Sequence, residues 1–473
     1  MKAKKILSFL MAMIIGVTTL VSSTGGVSAA STSENMSTMD FVLSMGIGIN
    51  LGNTMEATNS NGKTVTDFET AWGSPLITKK IIQGYADAGF GVIRVPVAWS
   101  NMMDDDYNID TDYIERVQRI VDMILDCGMK CIVNIHWDGG WIENFSTDKD
   151  ECMEKYESIW TQVSEAFKDY SLDLMFESLN EEGCWDDIWN RYSSSTKGKK
   201  EAYALLGEIN QTFVDVVRAS GGNNSERHLL IAGYATDAEL TCDEMFVLPD
   251  DPANRYAISI HYYTPSTFTI ISEDASWGEA QSTWGTSSDY ATLKKYMDMI
   301  YDTFIANGIP VIIGEYGCTT TNKSMSSVRE YITAVCEAAY TRGMCPILWD
   351  TPGGFYNRTT CKFTDSEILE GFEEIKTMSR AVEISSNDDE EEEATVELKA
   401  TASDGKVKLS WSTTLSGKCT VYYKRSSSDE WKTAGTVSKT KVNITGLKNG
   451  VSYDFKVVID GVESDVVTVT PEA

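Results

Sequence analysis

Two glutamates stand out from the many acidic residues of this chain by what precedes them. Glu181 closes the segment Leu179-Asn180-Glu181, and Glu315 lies within Ile313-Gly314-Glu315-Tyr316-Gly317; each follows an apolar run of strand length. Other runs of that kind carry or end in groups of equally definite chemistry: Arg94, then Asn134-Ile135-His136-Trp137-Asp138, His261-Tyr262-Tyr263, and Trp349-Asp350. The chain has three histidines, and two of them, His136 and His261, fall at these ends. A pair of carboxyl groups, one held protonated and the other ionised, is what breaking a glycosidic bond requires: the first gives a proton to the leaving oxygen and the second attacks or activates water. A gap of roughly 5 Å between them implies retention of configuration and one of about 6.5–9.5 Å implies inversion; the sequence leaves both open. Taken singly, an Asn-Glu or Gly-Glu pair is ordinarily a solvated turn, and the joint occurrence at strand ends is what carries weight. His136 and His261 could also ligate a metal with Glu315 or Asp138, but they lack close spacing, and a carboxylate pair cleaves an acetal without one. No metal or cofactor is therefore expected.

Positioning such groups calls for a scaffold that gathers strand ends. Eight apolar runs, at 46–51, 91–97, 130–136, 172–179, 228–232, 257–262, 310–314 and 346–349, alternate with amphipathic stretches such as 112–125, where Ile114, Val117, Val121 and Ile124 recur at helical spacing. Alternating β and α segments predict a parallel sheet, and eight of them predict a closed α/β barrel, the TIM barrel, with reacting groups at the C-terminal ends of the strands. His228 begins the fifth run and reads as structural.

The remaining segments set the domain plan. Lys2, Lys4 and Lys5, an apolar stretch over 6–21, and Val27-Ser28-Ala29 read as a signal peptide over 1–29, hence a secreted protein. A like-charge block at 384–394 reads as an acidic linker between a catalytic domain over 36–383 and a small all-β domain over 395–473. In that tail Val407-Lys408-Leu409-Ser410-Trp411 and its successors alternate with period two, and the whole resembles a fibronectin type III, immunoglobulin-like sandwich with Trp411 in its core and Tyr453 at the tyrosine corner. A spacer or stability module is the expectation rather than a carbohydrate-binding one.

Leu179-Asn180-Glu181 and Ile313-Gly314-Glu315-Tyr316-Gly317, together with Gly48-Ile49-Asn50-Leu51-Gly52-Asn53-Thr54 and Glu69-Thr70-Ala71-Trp72-Gly73, resemble glycoside hydrolase family 5 over about residues 45–349. The resemblance implies a retaining endo-β-1,4-glucanase, with Glu181 as acid/base, Glu315 as nucleophile, and Asn180 on the sugar 2-hydroxyl. It further implies that Arg94 and Tyr263 hydrogen-bond Glu315, that His136 and His261 line the cleaving subsite, and that Trp349 stacks on a glucose ring. Trp137 stands where the commonest bacterial branch has a second histidine, so β-mannan and xyloglucan remain alternative substrates. Trp137, Trp141 and Trp185 lie on mouth loops as sugar platforms or as packing. Glu143, Glu177, Glu182 and Asp350 are acidic neighbours with no assigned role. A non-catalytic polysaccharide-binding protein is the rival from another class.

Charge narrows the partners. With 70 acidic against 40 basic residues the net charge is -30, which repels nucleic acid and anionic membrane and suits a neutral β-glucan polysaccharide. The expected state is a monomer. Ten scattered cysteines show no framework spacing and are expected to be mostly free thiols.

Overall fold

The computed structural model describes residues 36–59, 61–183, 185–382, 396–413, 418–437, 439–459 and 461–472. The signal-peptide and acidic-linker expectations, and Cys184, lie outside the described residues. The chain divides into two compact units, Met1–Glu383 and Ile384–Ala473.

In the first unit the eight apolar runs become eight parallel strands: β1 (Gly48–Asn50), β2 (Val92–Val95), β3 (Lys130–Asn134), β4 (Leu174–Glu177), β5 (Leu229–Ala232), β6 (Tyr256–Tyr262), β7 (Val311–Tyr316) and β8 (Cys345–Leu348). They pair in sequence order and close when Gly48 of β1 aligns with Ile347 of β8, which makes the expected TIM barrel. Most strands are shorter than their apolar runs, whereas β7 extends past Gly314 so that Glu315 lies inside a strand.

Period-two alternation explains how the interior is layered. Val92, Ile132, Met175, Leu230, Ala257, Ile312 and Ile347 form one apolar cluster low in the barrel. That cluster is completed by Phe41, Val42 and Met45 on and beside the N-terminal helix α1 (Thr38–Ser44). Helix α1 thus plugs the end opposite the site. His228 belongs to this closure: its ring stacks on Phe41 at 4.1 Å between centroids, and Nδ1 lies 3.0 Å from Thr38 Oγ1.

Two residues further along the same strands, the inward positions are Asn50, Arg94, Asn134, Glu177, Ser259 and Gly314, and the five with side chains are fully buried. Intervening residues such as Ile93, Val95, Val133 and Phe176 join the outer core with the helices. The helix Thr111–Asp126 buries Val117, Ile120, Val121 and Ile124 there.

The second unit holds two antiparallel sheets. After a short hairpin of β9 (Tyr356–Asn357) and β10 (Lys362–Phe363) in the first unit, it contains β11 (Val396–Ser403), β12 (Lys406–Thr413), β13 (Cys419–Arg425), β14 (Lys432–Val437), β15 (Lys441–Thr445), β16 (Tyr453–Ile459), β17 (Val462–Glu463) and β18 (Val467–Val469). One sheet runs β11-β12-β15; in the other, β14, β13, β16 and β17 follow in order and β18 also pairs with β16. Alternate residues of both, among them Leu409, Trp411, Val421, Phe455 and Val457, share one core.

Candidate active site

Arg94 organises the layer above the apolar plug. Its guanidinium is wholly buried and donates from Nε to Glu177 Oε2 at 2.6 Å, from Nη1 to Glu315 Oε1 at 2.7 Å and to Asn50 Oδ1 at 3.0 Å, and from Nη2 to Asn180 Oδ1 at 2.8 Å. Two carboxylates against one cation is an arrangement that a barrel interior tolerates only when each carboxylate oxygen has a donor. That condition is met: Ser259 Oγ donates to the other oxygen of Glu177 at 2.7 Å, and Asn50 Nδ2 donates to the Gly314 carbonyl at 2.9 Å. Because Asn180 Oδ1 is taken by Arg94, its amide NH2 is left to face the cleft as a donor.

Glu315 faces inward because β7 is irregular. On strict alternation Ile312, Gly314 and Tyr316 would share the interior face and Glu315 would point at the helices. Instead, the pairing of β7 with β8 shifts between Ile313 and Tyr316, and that of β6 with β7 shifts at Ile260/His261, so His261 aligns with Glu315. Bulges re-aim side chains in this way beside active sites. Tyr316 turns into the outer core, and Gly314 is required for the close fit, since a Cβ there would sit 3.0 Å from His261 Nε2 and from Ser259 Oγ.

Around Glu315 the remaining partners converge. Tyr263 donates its hydroxyl to Oε2 at 2.9 Å. Burial first, then the charges of Glu315 and Glu181, push the Tyr263 phenol well above its ordinary value, so it stays a donor. His261 Nδ1 lies 2.7 Å from Glu181 Oε1 and 3.7 Å from Glu315 Oε2, and one oxygen of each glutamate and this nitrogen all fall within 4.8 Å of one another. The same three atoms could hold a divalent cation. Arg94 and Tyr263 already occupy the two oxygens of Glu315, however, and the guanidinium charge opposes a second cation there.

The two glutamates differ in surroundings. Glu315 is 6% exposed; burial holds its carboxyl above its ordinary value, and the charges of His261 and Arg94 offset only part of that. Glu181 has a side chain 48% exposed to the open cleft. Burial raises it too, but the hydrogen bond and charge of His261 outweigh that and hold it below its ordinary value. His136 is pushed well below the usual imidazole range by burial and by the charges of Arg94 and His261, and is therefore neutral; its ring lies parallel to Trp349 at 5.9 Å.

A cavity of about 540 Å³ is lined by His136, Trp137, Asn180, Glu181 and Trp185 among others. A second, of about 400 Å³, is lined by Tyr263 and Trp349. The tryptophans divide by environment. Trp137 is 46% exposed on the cavity wall, whereas Trp185 is 3% exposed, donates to the Ile142 carbonyl at 3.2 Å, and packs edge-on against Phe145 and Tyr234. Trp141 donates to Asp138 Oδ2 at 2.7 Å with Lys155 over its ring, so it braces the loop.

The structure thus brings together Arg94, Asn180, Glu181, His261, Tyr263 and Glu315 by direct contact, with His136 and Trp349 beside them. Strand ends alone do not single out Asn50 and assign no role to Glu177. Both lie two residues beyond the apolar plug layer, and that spacing was the signal available. Asp350 accepts the Phe355 and Tyr356 amides at 2.7 and 3.0 Å and serves the turn after β8.

Known proteins give the same picture. The family profile described as Cellulase (glycosyl hydrolase family 5) matches residues 56–353. Endoglucanase B of Clostridium cellulovorans is 32% identical over 382 residues, which cover 77% of this chain and 82% of that one. A xyloglucan-specific endo-β-1,4-glucanase of Bacteroides ovatus is 33% identical over 351 residues, 69% of this chain and 68% of that one. Among solved structures, a complex of a mutant family 5 lichenase from Caldicellulosiruptor with cellotetraose aligns with a TM-score of 0.67 at 32% identity, covering 72% of this chain and 96% of that one. With its barrel, its paired carboxyls within the retaining separation and a match across most of its catalytic unit, the chain belongs to glycoside hydrolase family 5 and is a retaining glycosidase.

Proposed function

We propose that the protein is a secreted endo-β-1,4-glucanase in which Glu315 is the nucleophile and Glu181 the acid/base. The observation that carries the assignment is the contrast between the two carboxyls within 4.8 Å. Glu315 is anchored by a permanent cation and a phenol, which favour an ionised, oriented attacking group. Glu181 has His261 as its hydrogen-bond partner and half its side chain in the cleft. A bound sugar strips that water, and desolvation together with the Glu315 charge then drives the Glu181 carboxyl up, so that it holds the proton it must deliver.

Attack by Glu315 on the anomeric carbon forms a glycosyl ester as Glu181 protonates the departing oxygen. Esterification removes the Glu315 charge, the Glu181 carboxyl falls again, and it can take a proton from the water that hydrolyses the ester. The free NH2 of Asn180 donates to the 2-hydroxyl, a contact that strengthens as positive charge develops on the ring. Trp349 and Trp137 offer flat faces to pyranose rings. β-1,4-Glucan is the preferred substrate class, in keeping with the relatives' names; those names also support mixed-linkage glucan and xyloglucan.

Azide rescue tests the roles. Glu315→Ala with azide yields an α-glycosyl azide, and Glu181→Ala on a substrate with a good leaving group yields a β-glycosyl azide; the reverse pattern exchanges the assignments.

The C-terminal unit has the features of a fibronectin type III module: its core tryptophan, and Tyr453, whose hydroxyl accepts from the Lys448 amide at 3.2 Å. We assign it a spacer role. Protein ending at residue 383 then keeps its activity on soluble glucan, and loss of that activity in a folded truncation refutes the assignment.

A further inference from the structure

We propose that the cleft sorts β-glucans by the charge of their side groups, its β3–β4 end admitting sugars with neutral or cationic substituents and turning away those bearing carboxylates. This rests on reading the cleft as a glucan site. The cavity at that end is lined by Glu143, Glu181, Glu182, Asp186 and Asp187, and no lysine or arginine is among its lining residues. Glu143, Asp186 and Asp187 are exposed. Burial pushes the Glu182 carboxyl well above its ordinary value, so the field comes from the other three together with the catalytic glutamate.

The opposite end differs in kind. In a closed eight-strand order β3 and β4 stand across the mouth from β7 and β8. The cavity there is lined by Tyr263, Thr269, Thr319, Trp349 and Thr351, among others, and carries no charged side chain. Beside β4 to β6, Arg191 and Asp237 bring opposite charges to a third cavity. Two cations lie near the acidic wall: Arg191, whose charge draws the Glu181 carboxyl down, and Lys155, which sits 4.7 Å over the Trp141 ring and answers the buried Asp138.

A glucan chain threading the mouth therefore meets an uncharged half and an anionic half. Hydroxyls and neutral sugar branches pass either. A uronate or carboxymethyl group in the anionic half stands within a Debye length of three carboxylates, a repulsion that salt screens.

The test uses the full chain on hydroxyethylcellulose and carboxymethylcellulose of matched length and substitution. Raising NaCl from about 10 to about 300 mM should increase kcat/KM on the anionic polymer roughly fivefold and alter that on the neutral one less than twofold. Net charge alone would produce some of this, so the deciding variant is Glu143→Gln/Asp186→Asn/Asp187→Asn. It should raise the anionic-to-neutral rate ratio at low salt several-fold. A control with the same change in net charge on exposed helix positions, Glu157→Gln/Glu201→Gln/Asp215→Asn, should leave the ratio where it was. Mass spectrometry of the carboxymethylcellulose products should find substituents depleted on one side of the cut bond.

Equal salt responses on both polymers, a control variant that matches the cleft variant, or substituents spread evenly about the cut overturn the proposal. Failure to cut hydroxyethylcellulose under any condition tells instead against the glucanase reading on which it stands.

Discussion

Replacing Arg94 by methionine tests whether one buried cation sustains both the fold of the mouth and its chemistry. Methionine roughly fills the volume but offers no donor. Glu177 and Glu315, 0% and 6% exposed, are then left without their cation. Breaking a buried ion pair from one side costs about 3–5 kcal/mol, which for a unit of this size lowers Tm by roughly 4–7 °C. Activity should fall further than stability predicts. The change removes the hydrogen bonds to Glu315 and Asn180, each worth about 1.5–3 kcal/mol because one partner is charged or oriented by charge. Together these predict a loss of about 10²–10⁴ in kcat/KM.

The discriminating step is to add Glu177→Gln. Neutralising the second carboxylate should restore about 2 kcal/mol of stability to the Arg94→Met protein, while activity stays low because Glu315 remains without its guanidinium. Calorimetric unfolding of the four proteins and initial rates on a soluble neutral glucan supply both readings. If the stability changes add within about 0.5 kcal/mol, or if Arg94→Met retains more than a tenth of the activity, the network described for Arg94 is wrong.

Two further outcomes follow from neighbouring features. Gly314→Ala places a methyl 3.0 Å from His261 Nε2 and Ser259 Oγ; it should lower kcat at least tenfold with little change in KM, and an unaltered rate would show that the bulge accommodates a side chain. Burial raises the Glu56 carboxyl from 4.5 to about 7, so the folded protein binds this proton more tightly than the unfolded chain; the stability it contributes is full below about pH 4.5 and is lost as pH rises through 7. The whole span is about 3 kcal/mol, and Glu56→Gln should flatten the fall in unfolding free energy between pH 4.5 and 7; a slope equal to that of the parent protein refutes the assignment.

How much of this was legible beforehand follows the range over which each feature is set. Glu181, His136 and His261 could be read from strand ends because hydrophobic runs are local and the rule that a barrel reacts at its C-terminal mouth is general. Arg94 and Tyr263 are legible on the strand runs in the same way, but their hydrogen bonds to Glu315 were implied only by the family resemblance, and those contacts are there in the fold. Glu177 was left without a role because a carboxyl inside an apolar run shows no partner until Arg94 arrives from a strand 83 residues away. Trp137 and Trp185 are indistinguishable in the sequence, since a loop tryptophan looks the same there whether it faces a sugar or Tyr234.

By itself, the order of residues determined that eight apolar segments would alternate with amphipathic helices, that acidic and imidazole groups would gather at one end of the strands, and that the charge would favour an uncharged polymer. These are consequences of short-range periodicity and composition. Tertiary structure alone decided that Glu315 faces the cleft, because a register shift between β7 and its neighbours overrides the period of two. It also decided that Glu315 meets the Arg94 guanidinium and the Tyr263 hydroxyl while Glu181 meets His261 and the open cleft, and the proposed division of roles between two chemically identical side chains rests on those partners.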